Sequence, residues 1–270
     1  MSEYISTITS SVRRLYVLLC GFEIIPKTVS TRNLGANIIM SEPITAFLLD
    51  TTDGWILVDC GIDEAKIDDP ILVQKYFLDR GWKPAPVVLP VHHLRYQLSQ
   101  INVEPYMIKY IILTHMHADH TGNLKHFPNA KIYIQHEEYE HGFQPQEKLS
   151  SAWFRDDYDS RPESDWILVN GDMNILPGLD LISTRGHTSG HQSVRVQLPS
   201  GAIIIMTGDA GDLMENYEKE ILPGESVDDK AALESIQRLK QLASVPNARL
   251  FLTHDPVLIQ TLKLAPDYYD

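Results

Sequence analysis

The chain of 270 residues is poor in cysteine and in basic residues. Its two cysteines, Cys20 and Cys60, are too few for a disulfide framework, and their apolar or turn contexts are typical of inert small hydrophobic residues. Lysine and arginine number 23 against 36 aspartates and glutamates, which gives a formal net charge of −13. Because nucleic-acid binding depends on clustered positive charge, this balance argues against a nucleic-acid partner.

The chain also lacks a long hydrophobic run. No stretch approaches the roughly 20 apolar residues that are needed to cross a bilayer. Arg13 and Arg14 precede an apolar segment at residues 15–19, but this segment is short and no export-type cleavage site follows it, so we predict a first core strand there. We therefore expect a cytoplasmic protein with no membrane partner.

No linker-like tract, internal repeat or low-complexity segment interrupts the sequence, so we predict a single domain over residues 1–270. With 43% hydrophobic residues the chain can bury a sizeable core. Strand-like runs outnumber helical ones, and composition alone supports a mixed α/β domain. The strand-like runs lie near residues 15–19, 45–49, 55–58, 110–113, 131–134, 179–183, 193–197, 202–206 and 250–253. The helical patterns lie near residues 70–80, 93–100, 136–141 and 228–242.

Four metal-binding side chains are packed into six residues, His115-Met-His117-Ala-Asp119-His120, directly after the apolar run 111–113. Side chains alternate along a strand, so His115 and His117 project to the same side before the chain turns. Burying these groups without a metal would leave several polar groups unpaired, each at a cost of about 1–3 kcal/mol. Imidazole and carboxylate ligands suit zinc, iron, cobalt or manganese. The spacing therefore predicts a metal site at a strand end.

This segment cannot complete two metal sites, so the prediction requires further ligands at other strand ends. His187 follows the run 179–183, Asp209 follows the run 203–206, and His254 ends the run 250–253. In each case an apolar strand-like segment delivers a potential ligand at its carboxyl end. We predict that these three side chains converge on the histidine-rich motif.

The H-x-H-x-D-H motif resembles that of the metallo-β-lactamase superfamily. The resemblance also covers the turn at residues 58–61, Gly186-His187, Gly208-Asp209 and His254, and so spans most of the chain. It implies a four-layer αββα sandwich and two divalent metal ions, zinc being the first expectation. It further implies that one ion is held by His115, His117 and His187, the second by Asp119, His120 and His254, and that Asp209 bridges them.

Within the superfamily the chain is most similar to the acyl-homoserine lactonases, the quorum-quenching enzymes. The similarity rests on residues 186–193, Asp209-Ala210, Glu215-Asn216 and residues 235–240. These lactonases usually carry a tyrosine three residues after the bridging aspartate, where it hydrogen-bonds the substrate carbonyl. Here that position is Asp212, which we expect to hold a water or a substrate N–H.

Two residues are expected to support the ligands. Asp59, at a strand-to-turn junction, resembles the superfamily's aspartate that orients a ligand histidine, although aspartate is also common in ordinary turns. His191 stands four residues after His187, and we predict a hydrogen-bonding role beneath the site.

We predict that two segments, 62–105 and 141–168, are inserted between core elements near the site, and loops of this length are usually functional or mobile. The second carries four aromatic residues for which two interpretations remain open. They either line an apolar substrate channel or anchor a long loop or an oligomer contact. The four residues are Trp153, Phe154, Tyr158 and Trp166.

The resemblance implies a metal-dependent hydrolase that opens a lactone ring of a small-molecule substrate, with an N-acyl-homoserine lactone as the first expectation. Two adjacent divalent ions lower the pKa of a bridging water to about 7, which presents a hydroxide to the ester carbonyl at neutral pH. Asp119 can relay a proton through its second oxygen. The alternatives are thioester hydrolysis of glyoxalase II type, β-lactam opening, an iron-dependent oxidoreductase and a metal-binding module without catalysis. A homodimer is left open as the assembly.

Overall fold

Two β-sheets form the centre of the protein, whose residues 10–270 are described by a computed structural model. The first sheet has six strands in the order β1 to β6. They are β1 Val12–Pro26, β2 Ile39–Thr51, β3 Gly54–Val58, β4 Ile108–Ile112, β5 Lys131–Gln135 and β6 Trp166–Val169. The second has five strands in the order β11-β10-β9-β8-β7. They are β7 Met173–Leu176, β8 Leu179–Ser183, β9 Gln192–Gln197, β10 Ile203–Met206 and β11 Ala248–Phe251.

The strand directions bring several carboxyl ends to one edge of each sheet. In the first sheet β3 and β4 are parallel, with Val58 opposite Ile112. In the second, β10 and β11 are parallel, and β8 and β10 are both antiparallel to β9, so β8, β10 and β11 run in the same direction. The residues that follow these strands are the predicted ligands and Asp59.

The main core lies between the two sheets and follows from side-chain alternation. In β1, Leu15 and Val17 pack in the same buried cluster as residues of the second sheet, whereas Tyr16 and Leu18 belong to the cluster on the opposite face. Successive residues of a strand point to opposite faces, so a strand buried on both sides is apolar throughout. This explains the long apolar run in β1.

Helices cover the outer face of each sheet. Phe77, Leu94 and Leu98 pack on the first sheet, while Ile236 and Leu239 pack on the second. The layer order is therefore helix, sheet, sheet, helix, which confirms the predicted α/β sandwich. The helices within residues 10–270 are α1 Glu64–Asp68, α2 Pro70–Tyr76, α3 Leu94–Gln100, α4 Ala118–Thr121, α5 His136–Gly142, α6 Met214–Lys219 and α7 Asp229–Ala243.

The helix predicted over residues 70–80 is shorter in the structure. It ends at Tyr76 and is followed by a single 3₁₀ turn, Leu78–Arg80. Phe77 is the C-cap of this helix and buries its ring against Phe154 and Trp82, with centroid distances of 5.4 and 5.7 Å. Burial of an aromatic ring stabilises more than one further turn of helix would.

Both cysteines are buried and free, as expected for small hydrophobic residues. Burial raises the pKa of both thiols, so neither is ionised at neutral pH. Among residues 10–270, no helix is both long enough and apolar enough to pass through a lipid bilayer.

Candidate metal centre

The predicted ligands meet where the two sheets present their carboxyl ends. The chain leaves β4 through Leu113 and Thr114, reaches His115, and turns into the short helix α4, which carries Asp119 and His120. His187, Asp209 and His254 enter from the second sheet, after β8, β10 and β11 respectively. The structure thus brings all seven predicted ligand residues together, in two groups that share Asp209.

The first group consists of His115, His117, His187 and Asp209, whose ligand atoms lie within 4.8 Å of one another. His187 Nε2 is 3.1 Å from His117 Nδ1. Asp209 Oδ2 lies 3.5 Å from His187 Nε2 and 3.6 Å from His115 Nε2. Three imidazole nitrogens and one carboxylate oxygen therefore surround one point.

The second group consists of Asp119, His120, His254 and Asp209. Asp209 Oδ1 lies 3.2 Å from His254 Nε2 and 3.3 Å from His120 Nε2. Asp119 Oδ2 is 3.1 Å from His120 Nε2 and 3.5 Å from His254 Nε2. Since Oδ2 of Asp209 faces the first group and Oδ1 faces the second, this side chain has the arrangement of a bridging carboxylate.

The residues fit a pair of divalent metal ions. Buried polar groups are normally hydrogen-bonded, yet His115 Nε2, His120 Nε2 and Asp209 Oδ1 are buried without a hydrogen-bond partner among the described residues. Burial and the neighbouring histidines hold the pKa values of His115 and His117 well below the ordinary value, so both imidazoles are neutral, as a ligand must be. A metal on each side of Asp209 would satisfy all three atoms.

Asp59 supports the second group, as the resemblance implied. Its Oδ2 lies 2.9 Å from His120 Nδ1, and its two oxygens accept hydrogen bonds from the backbone N–H and the hydroxyl of Thr114. Asp59 is buried and has a positive φ of 58°, a conformation that aspartate tolerates better than most residues. The carboxylate thereby fixes the tautomer of His120 and leaves Nε2 facing the site.

His191 lies beneath the site and is not a member of either ligand group. Its Nδ1 is 3.0 Å from the carbonyl oxygen of Thr184, and its Nε2 accepts a hydrogen bond of 2.9 Å from the backbone N–H of Asp209. Burial lowers the pKa of His191 to about 3, which keeps the ring neutral and able to accept. A Cβ at Gly208 would lie 2.6 Å from His191 Nε2, so glycine permits this contact.

Two other ligand histidines are held through their outer nitrogens. His187 Nδ1 lies 3.0 Å from the carbonyl oxygen of Glu225, and His254 Nδ1 lies 2.9 Å from that of Pro43. A proton on Nδ1 directs the lone pair of Nε2 into the site. The backbone therefore selects the tautomer in both cases.

Glu138, on α5, joins the two ligand loops and was not predicted from the sequence. Its Oε1 accepts a hydrogen bond of 3.0 Å from Met116 N, and its Oε2 accepts from Thr188 Oγ1 at 2.6 Å and from Gly190 N at 3.0 Å. The side chain is fully buried. The signal in the sequence is its position just after the strand β5, because the other site residues also follow strand ends.

A cavity of about 260 Å³ opens onto the metal centre. Both inserted segments contribute to its wall: Trp82 and Pro84 come from residues 62–105, and Ser151 and Ala152 from residues 141–168. The four aromatic residues of the second segment do not line it. They are buried in the core cluster on the helical side of the first sheet, which supports the loop-anchoring interpretation over the channel. These residues are Trp153, Phe154, Tyr158 and Trp166.

Asp212 lies on the cavity wall next to the second ligand group. It is 7% exposed, and its Oδ1 has no hydrogen-bond partner among the described residues. Burial and the charge of Asp209 raise the pKa of Asp212 well above its usual range. Glu42 and Glu23, from β2 and β1, lie on the same wall and were not predicted as site residues.

The comparisons agree with this geometry. The profile of the Metallo-beta-lactamase superfamily matches residues 41–254. The chain belongs to this superfamily, as the histidine motif indicated.

Relatives of similar length are lactonases. An N-acyl homoserine lactonase of Bacillus cereus is 29% identical over 96% of this chain and 99% of its own length. The N-acyl homoserine lactonase AttM of Rhizobium johnstonii is 31% identical over 95% of this chain and 98% of its own length.

A solved structure of an N-acyl homoserine lactone hydrolase, with the product N-hexanoyl-L-homoserine bound at its catalytic metal centre, is 27% identical. It superposes with a TM-score of 0.81 over 96% of this chain and 100% of its own. A quorum-quenching N-acyl homoserine lactone lactonase, also 27% identical, gives a TM-score of 0.80 over 96% of this chain and 99% of its own.

Proposed function

We propose that this protein is a metal-dependent hydrolase that opens the lactone ring of N-acyl-homoserine lactones. The observation that carries the proposal is the pair of ligand groups sharing Asp209 beside a cavity of about 260 Å³. The similarity to lactonases along nearly the whole chain supports the substrate class. A cavity of this size accommodates a small ring with part of an acyl chain.

Seven side chains would hold the metal ions: His115, His117 and His187 on one side, Asp119, His120 and His254 on the other, and Asp209 between them. Two divalent ions held there would polarise the lactone carbonyl and lower the pKa of a water molecule toward about 7. The protein's own part is to fix this arrangement through Asp59 and His191. No serine or cysteine nucleophile is required.

Asp119 is proposed to move the proton. In ring opening, a water oxygen bonds to the carbonyl carbon, the bond between that carbon and the ring oxygen breaks, and the water's proton ends on the ring oxygen. Asp119 Oδ2 faces His120 and His254, so Oδ1 remains able to hold the proton and deliver it to the leaving oxygen. Asp212, on the same cavity wall, is proposed to contact the substrate.

Zinc is the proposed resident metal, because five imidazoles and two carboxylates without thiolate suit it, although iron, cobalt and manganese share these ligands. A cytoplasmic location is proposed from the two free thiols. The domain is proposed to span residues 1–270, with segments 62–105 and 141–168 bordering the active site.

The test is a substrate panel on the metal-loaded protein: short and long N-acyl-homoserine lactones, simple lactones, S-lactoylglutathione and a chromogenic β-lactam. We expect turnover of the acyl-homoserine lactones at least tenfold above that of the thioester and the β-lactam. His187→Ala should abolish turnover, while His136→Ala, in the partly exposed first turn of α5, should leave it unchanged. A preference for S-lactoylglutathione or the β-lactam would contradict the lactonase assignment.

A further inference from the structure

Three carboxyl side chains lie together on the cavity wall outside both ligand groups. They are Glu23 from β1, Glu42 from β2 and Asp212 from the loop after β10, and we call them the carboxylate cluster. The proposed mechanism makes no use of Glu23 or Glu42. Both side chains nevertheless line the cavity that a bound substrate would fill.

The cluster has hydrogen-bond acceptors that the protein does not satisfy. Glu42 is 1% exposed, and Ser30 donates a hydrogen bond of 2.7 Å to its Oε2, yet its Oε1 has no partner among the described residues. Asp212 Oδ1 is also buried without a hydrogen-bond partner among these residues. A buried acceptor without a donor costs about 1–3 kcal/mol, and a charged one costs more. Two such atoms on one cavity wall indicate a ligand that brings donors.

A substrate N–H is a better match to the cluster than a further metal ion or a cationic group. Within residues 10–270, none of the three carboxylates forms a salt bridge or belongs to a set of side chains close enough to hold a metal. Two divalent ions in the neighbouring centre would carry more positive charge than their two carboxylate ligands, Asp119 and Asp209, cancel. That surplus offsets the charge of the cluster through space, so the unmet requirement is for hydrogen-bond donors.

Part of the cavity wall is apolar. Ile24, Ile25 and Val29 line the cavity beside Glu23 and Ser30, and Trp82 lies on the inserted segment. An acyl chain attached through an amide presents both features in one molecule, an N–H next to the lactone ring and an apolar tail beyond it. Burial raises the pKa of Glu42 to about 6, so the carboxylate form that accepts an N–H predominates at neutral pH.

We propose that the carboxylate cluster accepts the amide N–H of the substrate, and that Glu42 and Asp212 thereby make the enzyme selective for lactones with an N–H beside the ring. This assignment rests on the proposed lactonase function. It adds the residues that determine which lactones the enzyme prefers. Glu42 accepts as a carboxylate. Burial and the charge of Asp209 raise the pKa of Asp212 well above its usual range, so Asp212 accepts through the carbonyl oxygen of its carboxyl group, where a phenol in the same position would act as a donor. A site built to accept an N–H discriminates strongly against a ligand that lacks one, because the acceptor then stays unpaired.

The test compares two near-isosteric substrates on the metal-loaded protein: an N-acyl-homoserine lactone and the analogue in which CH₂ replaces the amide N–H. We expect kcat/KM for the analogue to be about 10- to 100-fold lower, the range for a hydrogen bond to a charged group. The loss should appear mainly in KM, since the contact is made in the ground state. Calorimetry with the two ring-opened products should show the same ratio in Kd.

Asp212→Ala and Glu42→Ala remove the acceptor oxygens, which Asn or Gln would retain as an amide oxygen. Each should reduce the ratio of kcat/KM between the two substrates severalfold, and the double variant should bring it close to one. Since the ratio is measured within one protein preparation, incomplete folding or metal loading does not affect it. Glu218→Ala, exposed on α6, removes a carboxylate elsewhere and should leave the ratio unchanged. Equal turnover of both substrates by the wild-type protein, or an unaltered ratio in the double variant, would overturn the assignment. A metal-loaded protein that opens neither lactone would contradict the proposed function itself.

Discussion

Asp59 is a single residue on which the geometry of the second ligand group depends. It contacts no substrate, but its carboxylate accepts from Thr114 twice and pairs with His120 Nδ1 at 2.9 Å. Asp59→Asn replaces one oxygen by an NH₂ group, which cannot accept from either partner. Because partners of this kind orient the ligand, we expect metal affinity to fall about 10- to 100-fold. Competition with a chromogenic chelator measures this affinity.

The control for this variant is Asp53→Asn. Asp53 carries the same group but pairs with the exposed Lys109 far from the site, so its loss should change neither metal affinity nor activity. If Asp59→Asn binds both ions as tightly as the wild-type protein, orientation of His120 by Asp59 is unnecessary and our interpretation is wrong.

Site residues could be predicted from the sequence where they belong to a local pattern. The quartet at residues 115–120 is compact, and each of His187, Asp209 and His254 follows an apolar run, so strand geometry alone directed all seven to one edge. Glu42 and Ser30 carry no such pattern. Their place on the cavity wall depends on how β2 and the chain after β1 approach Asp212, about 180 residues further along, and only tertiary structure supplies that contact.

At the scale of elements, helix α5 matters for the site because Glu138 connects the loop after β4 to the loop after β8. Glu138→Gln retains the size of the side chain. Its NH₂ group would face either the N–H of Met116 or the donors of Thr188 and Gly190, and it cannot accept from them. An unsatisfied buried donor costs about 1–3 kcal/mol. We therefore expect a decrease in Tm of about 4–8 °C for a loss near 2 kcal/mol. Calorimetry measures the Tm.

The same variant should bind the ion of the first group more weakly, because Met116 lies between two of its ligands. Glu137→Gln is the matched control, since Glu137 is the neighbouring residue on α5 and pairs with the exposed Arg185. An equal effect of the two substitutions would show that Glu138 contributes no more than a surface charge.

Elements with strong periodicity were predicted well, and several short ones were missed, namely α1, α4, α6, β6 and β7. β3, β5, β8 and α7 lie within a residue or two of the predicted bounds. β1 and β2 extend further than expected, because they pair with each other along 13 or more residues. Their ends carry polar or proline residues, which hide the strand pattern in the sequence, but the pairing keeps these residues in the strands. β6 and β7 are edge strands of four residues, too short to show an alternation that stands out from a loop.

For the whole molecule, the metal centre connects the two sheets. The quartet at residues 115–120 follows β4 in the first sheet, while His187, Asp209 and His254 follow strands of the second. Metal binding to the native state alone stabilises it by about 4 kcal/mol when the free ion is at a thousand times Kd. For a chain of this size that corresponds to a Tm about 10 °C higher. We expect removal of the metal to lower Tm by this amount and to abolish activity, and addition of zinc to restore both.

The charges of the buried ligand residues explain why removal of the metal should lower Tm. Without metal, Asp119 and Asp209 face His120 and His254, and the carboxylates outweigh burial and raise the pKa values of these histidines well above the ordinary value. Metal binding must therefore displace protons, and its affinity should weaken as the pH falls. Calorimetric titration with zinc in two buffers of different ionisation enthalpy measures the protons released. Asp209→Ala removes the residue common to both groups, so zinc should raise its Tm less than that of the wild-type protein. A wild-type protein whose Tm is the same with and without metal, with metal removal verified by elemental analysis, would show that the sheets are held together independently of the site.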